Sequence, residues 1–362
     1  MLLKRTASKL ENMQVSKIPQ MCLFHTSIQD NTITVSYWSP ESKSITHKLD
    51  IPLEPPIANL PTLDVEMYSS TLHSYEMGAP YNDWFSARFG FPVVLAYWGG
   101  NTRPVLGNRP GRPANELPAP PTLTASMVRK IPIIGTKLFP EDESIAFNDV
   151  APYLVVSEES NKNASARLPA GVDMEIDKFR GNIVVRSGCE AYDEDFWAEL
   201  TFASAAKLIL TANCVRCVSL VVDYETGKSG TGKAKDVFRL LSKDRRVDAG
   251  SKWSPVFGRY GFVEKKDEGQ QLRVGESVTV SARNKERTTF CKCSARGGYS
   301  DMSLFEYSMA GAIEAGSTIL GLCNGRKYTC ERVSYVQNIK STKFNVYDGR
   351  MRHSSYDCNP EM

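Results

Sequence analysis

Two cysteines, Cys214 and Cys217, stand at the end of an apolar run with Val215 and Arg216 between them. A thiolate is a nucleophile and a ligand for soft metals, and a neighbouring arginine stabilises its negative charge. The residue types leave several interpretations open. The pair is a reactive or metal-bound thiolate beside Arg216, a redox pair, part of a zinc site, or two inert buried cysteines.

The predicted elements around the cysteines favour some of these interpretations over others. The β-branched run Val218–Val222 predicts a strand, and Asp223–Gly227 has the composition of a turn, so the cysteines are placed at a loop-to-strand junction. A thioredoxin-type pair instead needs a helix N-terminus directly after its first cysteine, and no helical pattern follows. Zinc needs four ligands; the four histidines are distant in sequence, and Cys291 and Cys293 have an unusual single-residue spacing.

Further motifs accompany the cysteine segment in a fixed order. Asn213–Cys217 and the turn Val222–Gly227 resemble the C-R-C and V-D-x-x-T-G signature of MOSC domains, the molybdenum cofactor sulfurase C-terminal domains, whose members include amidoxime-reducing components. Gly181 stands where this family usually has proline. The other segments that resemble family motifs are Phe179–Val185, Gly188–Trp197, Ser254–Tyr260, Leu272–Glu276, and Asp149 together with Pro152–Ser157.

The resemblance implies a binding site for the molybdenum cofactor, a molybdopterin. Cys217 would be the catalytic residue and the protein ligand to molybdenum. The cofactor-binding residues carried over from the family are Arg180, Asn182, Val215, Arg216, Tyr260 and Asp149. An arginine fork suits a phosphate or a pterin carbonyl, and an asparagine amide can both donate and accept. Relatives often have serine in place of Val215, so only a backbone contact is expected there.

The implied reaction is two-electron reduction of an N-hydroxylated substrate, with electrons from a cytochrome b5-type protein and its flavin reductase. The sequence has no recognisable haem, flavin or cluster motif, so the donor is expected to be external. The resemblance also associates the fold with pyridoxal phosphate, although no lysine is assigned to a Schiff base. Two alternatives stay open: a degenerate MOSC module without turnover, and a sulfur carrier with a persulfide on Cys217.

Composition sets wider limits on function. The chain has 362 residues, 41% hydrophobic and 23% charged, which fits a globular protein of two domains. The net charge of +3 is spread along the chain, so nucleic-acid binding is not predicted. The sequence contains no run of about 20 apolar residues, so a membrane span is not predicted. Nine cysteines, an odd number, favour reduced thiols and an intracellular location, cytoplasmic or mitochondrial.

The predicted fold is mainly β with some α: a MOSC β-barrel preceded by an incomplete MOSC N-terminal β-barrel-like domain. We assign residues 1–100 to the N-terminal domain, 101–126 to a Pro/Gly-rich loop, 127–283 to the MOSC domain and 284–362 to an unassigned, disordered tail. In the family, a Y-P-(I/V)-K-S strand and a D-R-x-W/F segment precede the start of this chain. Their Lys, Ser and Arg hold the cofactor, so we expect the front of the first domain to be truncated.

Individual elements are also predicted. A short helix is expected to begin after Asp83 and to end at Gly90, and Ser157 is expected to cap a second helix. Gly227–Ala234 fits a phosphate-binding P-loop except that Ala234 replaces the magnesium-binding Ser/Thr, so a flexible turn is the favoured interpretation. The predicted strands are Met21–Ile28, Thr32–Trp38, Val93–Tyr97 and Val278–Ala282, and a further helix is expected over Lys235–Leu241.

Overall fold

A computed structural model describes residues 1–68, 70–105, 107–110, 143–290 and 328–333. Its described part consists mainly of strands, which form a closed seven-stranded barrel, a five-stranded sheet, a three-stranded sheet and two small hairpin-like sheets. The prediction of a mainly β fold with a barrel is therefore confirmed.

The first part of the chain forms two antiparallel sheets. Its strands are β1 Leu2–Arg5, β2 Leu10–Asn12, β3 Phe24–Gln29, β4 Thr32–Ser39, β5 Ser44–Pro52, β6 Thr62–Met67, β7 Ser70–Glu76 and β8 Val93–Tyr97. The order is β2-β1-β8-β7-β6 in one sheet and β3-β4-β5 in the other. Buried and exposed residues alternate along β7, as expected of a strand with one face on a core.

Helix α1, Ala79–Phe89, packs against this first part and corrects one predicted boundary. Gly90 ends the helix in the left-handed conformation with φ 74°, as predicted. The expected start at Asp83 is wrong, because the helix begins at Ala79 after Gly78. Pro80 occupies the first turn, where a fixed φ and a missing N–H favour initiation, so the helix starts earlier than the polar residue suggests.

Two short strands, β9 Arg103–Pro104 and β10 Ser144–Ile145, pair antiparallel and connect the two parts of the chain. Sequence analysis placed residues 101–126 in an irregular loop. Arg103 is instead 1% exposed and lies in regular structure, whereas most of that loop lies outside the described residues.

The barrel occupies the second part of the chain. Its strands and one attached hairpin are β11 Tyr153–Ser157, β12 Ile183–Arg186, β13 Trp197–Phe202, β14 Lys207–Val215, β15 Val222–Asp223, β16 Lys228–Ser229, β17 Val256–Val263, β18 Ser277–Arg283 and β19 Tyr328–Val333. The barrel order is β11-β12-β19-β18-β13-β14-β17, and β15 pairs with β16. Strands β11 and β12 are parallel, so they need a crossover.

Helix α2, Glu158–Ser165, begins that crossover directly after β11. The Ser157 side chain accepts a hydrogen bond from the Ser160 N–H at 3.1 Å, which confirms the predicted cap. Helix α3, Val237–Leu241, is shorter than the predicted helix over Lys235–Leu241. None of the helices in the described ranges has the length and apolar character that a membrane crossing requires.

Two predicted elements around the cysteines differ from the structure. Val218–Val222 was expected to be a strand, but Val218–Val221 is a 3-10 helix that turns Leu220 fully into the core while Val218 stays 47% exposed. In a strand, Val218 and Leu220 would lie on the same face, whereas here one is exposed and the other is buried. In the P-loop-like segment, Lys228 and Ser229 form a strand that pairs with β15, so the segment is not one continuous loop between a strand and a helix. The other 3-10 helices are Pro19–Leu23, Ile176–Phe179, Asp193–Phe196 and Lys265–Asp267.

Residues 284–362 were left unassigned and were expected to be disordered. In the structure, β19 is a strand of the barrel, and residues 284–290 form hydrogen bonds with other parts of the chain. Asn284 N donates to Phe196 O at 2.8 Å, and Phe290 N donates to the Asp248 carboxylate at 2.9 Å. Part of the segment therefore belongs to the folded domain, and the rest lies outside the described residues.

The first domain packs against the side of the barrel that carries the cysteine segment. Cys22 Sγ donates to Asp223 O at 3.6 Å. A Cβ atom at Gly227, which has φ 64°, would lie 2.9 Å from Leu23 Cδ1, so glycine permits both the turn and the close approach. Residues from both parts of the chain thus meet near Cys217.

Candidate functional site

The two cysteines lie in opposite environments at the end of β14. Cys214 is 2% exposed and Cys217 is exposed. Val215, which is half-buried, pairs with Val256 on β17, and the Arg216 N–H donates to Pro255 O at 2.8 Å. The backbone is therefore held up to Arg216, and the next residue presents its thiol outward. Cys217 Sγ lies 3.1 Å from Ser219 Oγ.

The Arg216 guanidinium points into the protein. One terminal nitrogen donates to Cys214 Sγ at 2.8 Å and the other to Phe179 O at 2.8 Å. Burial alone would lower the pKa of the Arg216 guanidinium. The neighbouring Cys214, Tyr260 and Cys217 raise it by more, so the pKa of Arg216 lies above its ordinary value. Arg216 thus fastens the cysteine segment to the chain just before Arg180. Its Nε is buried without a partner among the described residues.

Arg180 occupies a left-handed turn directly after Phe179, whose carbonyl oxygen accepts from Arg216. It follows the 3-10 helix Ile176–Phe179, has φ 55°, and is exposed. Gly181 comes next, where a Cβ atom would lie 2.6 Å from Val156 Cγ2. The departure from the family's proline therefore matches the close approach of Val156, because proline carries a Cβ atom.

Asn182 forms hydrogen bonds within the fold through its backbone and through part of its side chain. Its N–H donates to Leu154 O at 2.8 Å, and its Oδ1 accepts from Leu154 N at 2.8 Å. These bonds join the start of β12 to β11 and fix the side chain. The carboxamide oxygen is occupied in this way, which leaves the amide nitrogen to contact a ligand.

Asp149 and Tyr260 approach the cysteine segment from other sides. Asp149 is exposed, and its Oδ1 accepts from Tyr68 Oη at 3.2 Å. Tyr260 is half-buried on β17; burial, followed by Cys214 and Asp149, raises its pKa well above the ordinary value. The structure therefore brings Cys217, Arg216, Tyr260 and Asp149 into one electrostatic neighbourhood.

Tyr68 and Arg103 are site residues that the sequence motifs did not reveal. Tyr68 has φ 50° and is 44% exposed; burial of its ring, then Asp149 and Cys217, raises the pKa of its hydroxyl. Arg103 is buried and donates to Ala146 O at 3.0 Å and to Asp149 O at 3.1 Å. Arg103 thus fixes the backbone that carries Asp149. Tyr68 comes from the first domain and Arg103 from the predicted loop, so neither is near a family motif.

A buried group of charged side chains lies beneath the cysteine segment. Asp195, which is fully buried, accepts from Arg245 at 2.8 Å and from Arg287 at 2.8 Å. Arg259, also fully buried, donates to Asn213 Oδ1 at 2.7 Å and to Asp195 O at 2.8 Å. Burial lowers the pKa of Arg259 to about 10.

Two acids complete this buried ion network, which we define as Asp195, Glu194, Asp248, Arg245 and Arg259; the exposed Arg287 contacts it from the surface. Burial raises the pKa of Glu194 to about 7, and the charge of Asp195 adds to the shift while Ser160 and Ser157 oppose it. Burial likewise raises the pKa of Asp248. Asp248 accepts from Asn213 Nδ2 at 3.2 Å, so the network reaches the residue before Cys214.

The residues present fit a metal-containing anionic cofactor in part. An exposed thiol at Cys217 is a soft ligand, and Arg180 is an exposed arginine directly after Phe179, whose carbonyl oxygen accepts from Arg216. Arg216 does not add a terminal nitrogen on that side, since both contact the protein. In the described part of the chain, no three or more His, Cys, Asp and Glu side chains gather as a metal site, so Cys217 would act as a single protein ligand.

Comparison with known proteins finds a family match for the part of the chain that contains this site. Residues 142–279 match the MOSC domain. The mitochondrial amidoxime-reducing component 1 of Danio rerio is 36% identical over 141 residues, which is 39% of this chain and 40% of that protein. The mouse protein of the same name is 26% identical over 264 residues, or 72% of this chain and 66% of the relative.

A further relative, the rat mitochondrial amidoxime reducing component 2, is 37% identical over 151 residues, or 39% of this chain and 42% of that protein. The chain therefore spans less than two thirds of the length of these relatives. The match extends from β10 to the first residues of β18 and includes Cys217, Arg180 and Asp149.

Proposed function

We propose that this chain, which carries a MOSC domain at residues 142–279, binds a molybdenum cofactor through Cys217 and reduces N-hydroxylated substrates. The observation that carries the proposal is the exposed Cys217 thiol, which lies just after the end of β14 in the electrostatic neighbourhood of Tyr68 and its hydrogen-bond partner Asp149. Similarity to proteins named amidoxime-reducing components supports the reaction class. Their names also support a mitochondrial location.

Each residue has a defined task in this proposal. Cys217 would be the thiolate ligand, and the Ser219 hydroxyl at 3.1 Å would donate to that sulfur. Arg180 and the Asn182 amide nitrogen would contact the anionic and pterin parts of the cofactor. When bound, the molybdenum cofactor supplies the two-electron redox chemistry by which oxygen leaves the substrate.

Tyr68, Asp149 and Tyr260 would shape the place where the substrate lies. Tyr68 and Tyr260 both have raised pKa values, so both stay neutral near neutral pH. A neutral phenol exchanges hydrogen bonds with an N-hydroxy group without adding charge to the site. Arg103 would act as a positioning residue, since it fixes the backbone that carries Asp149.

The test is metal analysis of the purified chain from a host that makes molybdopterin, followed by benzamidoxime reduction with donor proteins. We expect about one molybdenum per chain in the wild type and almost none in Cys217→Ala. Cys189→Ala is the matched control, because Cys189 is a half-buried cysteine outside the site; the molybdenum content of this variant should equal that of the wild type. Folded wild-type protein without molybdenum would refute the proposal.

The exposed thiol also favours one second candidate function, a sulfur carrier. In that case a donor persulfide would transfer its sulfane sulfur to the thiolate of the exposed Cys217, and not to the buried Cys214, and the donor would be released as a thiol. Intact-mass analysis of the same preparation separates the two functions. A mass increase of one sulfur on Cys217 with no molybdenum supports the carrier, and molybdenum without persulfide supports the reductase.

A further inference from the structure

Tyr68 stands at the tip of the hairpin formed by β6 and β7, in a backbone conformation that its residue type disfavours. Met67 pairs with Ser70, so the chain reverses between them, and Tyr68 has φ 50°. A left-handed turn favours glycine, and a bulky residue there stores strain that the surrounding structure must hold. Because strain of this kind clusters at active sites and ligand sites, the tyrosine points to a function other than closing the hairpin.

The hairpin tip is fastened to the start of the barrel domain by a buried arginine. Arg103, which is 1% exposed, donates to Ser70 Oγ at 2.8 Å and to Asp149 O at 3.1 Å. Ser70 is also buried, and its hydroxyl donates to Met67 O at 3.2 Å. The tip on which Tyr68 stands is therefore held in place by buried hydrogen bonds, which are costly to break.

The Tyr68 side chain makes a second connection between the two domains. Its hydroxyl donates to Asp149 Oδ1 at 3.2 Å. Asp149 is therefore held at two points, its backbone by Arg103 and its carboxylate by Tyr68. Tyr68 remains 44% exposed although its hydroxyl is bound. A ring that is anchored at its tip and still borders solvent has the properties of a wall at the edge of a site.

The same residues lie in the neighbourhood of the Cys217 thiol. Burial, then Asp149 and then Cys217 raise the pKa of the Tyr68 hydroxyl, and the influence of a charge fades with distance. Burial, Cys214 and Asp149 likewise raise the pKa of Tyr260, whose strand β17 pairs with β14, the strand that leads to Cys217. Asp149 thus connects the Tyr68 wall with the cysteine segment.

We propose that Tyr68 is a specificity-determining residue of the Cys217 site: its ring, held by Asp149, limits the width of the molecules that reach the thiol. Glycine at this position would relax the turn but remove the wall, which explains why the strained tyrosine is present. For substrates, the proposal rests on the proposed function and favours N-hydroxylated compounds that are narrow next to the reacting group. For access to the thiol, it needs neither cofactor nor turnover.

The experiment measures access to Cys217 with two uncharged reagents of different width. N-Ethylmaleimide and N-tert-butylmaleimide both add to the thiolate, so the ratio of their rates does not depend on the ionised fraction of Cys217. The full chain is prepared in a host that does not make molybdopterin, and both rates are measured at Cys217 by peptide mass spectrometry.

Three variants at Tyr68 separate the ring from its hydroxyl. Tyr68→Gly and Tyr68→Asn introduce smaller residues that accept a left-handed turn, and each should raise the rate of the wider reagent relative to the narrower one roughly fivefold or more. Tyr68→Phe keeps the ring, so the ratio should change by less than about twofold. A ratio within about twofold of the wild type in both smaller variants would overturn the proposal.

Asp30 provides a matched control at another hairpin tip. It has φ 52° and lies between Gln29 and Thr32, which pair in the hairpin of β3 and β4. Asp30→Gly relieves the same backbone conformation at a different place, so its rate ratio should equal that of the wild type. An increase equal to that of Tyr68→Gly would contradict the assignment. Cys214, which is 2% exposed, should stay unlabelled in every variant, since labelling there reports unfolding.

A substrate comparison separates this proposal from the function on which it rests. For the cofactor-loaded protein, kcat/KM is measured for benzamidoxime and for its ortho-dimethylated derivative, which is wider next to the reacting group. Tyr68→Gly and Tyr68→Asn should reduce the discrimination between the two compounds. Wild-type protein that reduces neither compound would refute the reductase function, while the maleimide ratio would still decide whether Tyr68 limits access. Turnover with unchanged discrimination in both variants would overturn the role of Tyr68 in specificity.

Discussion

The exposed Cys217 segment and the buried ion network beneath it are built in opposite ways. The thiol is exposed, and the hydroxyl of Ser219 is its hydrogen-bond neighbour among the described side chains. Asp195 and Arg259 are fully buried, and each contacts several partners. The difference indicates that the candidate ligand is a side chain with few contacts, whereas the position of its segment is set by the buried ion pairs behind it.

One residue joins the two regions. Asn213 lies directly before Cys214; its Oδ1 accepts from Arg259 at 2.7 Å, and its Nδ2 donates to Thr288 O at 3.0 Å. Through Asn213 the network fixes the last residues of β14. A change inside the network should therefore act mainly on stability, and a change at the thiol mainly on ligand binding.

The largest expected effect comes from removing one charge from the network. Asp195→Asn would leave the buried Arg245 without its carboxylate, and breaking a buried ion pair typically costs about 3–5 kcal/mol. We expect the free energy of unfolding, measured by urea denaturation, to fall by that amount. Asp244→Asn is the control, because Asp244 is an exposed partner of Arg167; it should cost at most about 1 kcal/mol. Equal losses would contradict the contrast between the regions.

The second prediction concerns pH and Glu194. Its pKa rises from 4.5 to about 7 on folding, so the folded state binds the proton more tightly than the unfolded state. The stability that results is complete below pH 4.5 and is lost as pH rises through about 7, a change of up to about 3 kcal/mol. Glu194→Gln removes the ionisable group while its amide oxygen still accepts from Ser157.

The measurement is the free energy of unfolding of both proteins at pH 5 and pH 8. The wild type should lose more stability than Glu194→Gln over this interval, because ionisation of a buried carboxyl is the additional cost in the wild type. Parallel losses in the two proteins would show that Glu194 does not have the raised pKa.

The predicted placement of the cysteines at a loop-to-strand junction was wrong, because Cys214 lies in β14 and a 3-10 helix follows Cys217. The mainly β fold with a barrel could be predicted, because its strands and turns have local residue patterns. The cap at Ser157 and the stop at Gly90 were predicted for the same reason. The 3-10 helix after Cys217 was missed, because β-branched residues favour a strand and the burial of Leu220 depends on distant packing.

The rest of the candidate site depends on contacts between residues far apart in the chain. Tyr68 and Arg103 reach Asp149 from positions 81 and 46 residues away. Nothing in the local sequence of either indicates that contact. The inward direction of Arg216 was also not predictable, because it results from the position of Phe179 O and Cys214 Sγ in the folded barrel.

The smallest expected effect on stability is at the thiol itself. Cys217→Ala removes an exposed side chain that fills no core, and such changes usually alter the free energy of unfolding by at most about 0.5 kcal/mol. Urea denaturation of cofactor-free protein should therefore give the wild-type midpoint, although the same substitution is expected to abolish molybdenum binding. Cys214→Ala is the variant for comparison, since it removes a buried sulfur that accepts from Arg216. This substitution should lower the free energy of unfolding measurably. If Cys217→Ala were the more destabilising of the two, the thiol itself would help to set the position of its segment, and the contrast between the two regions would not hold.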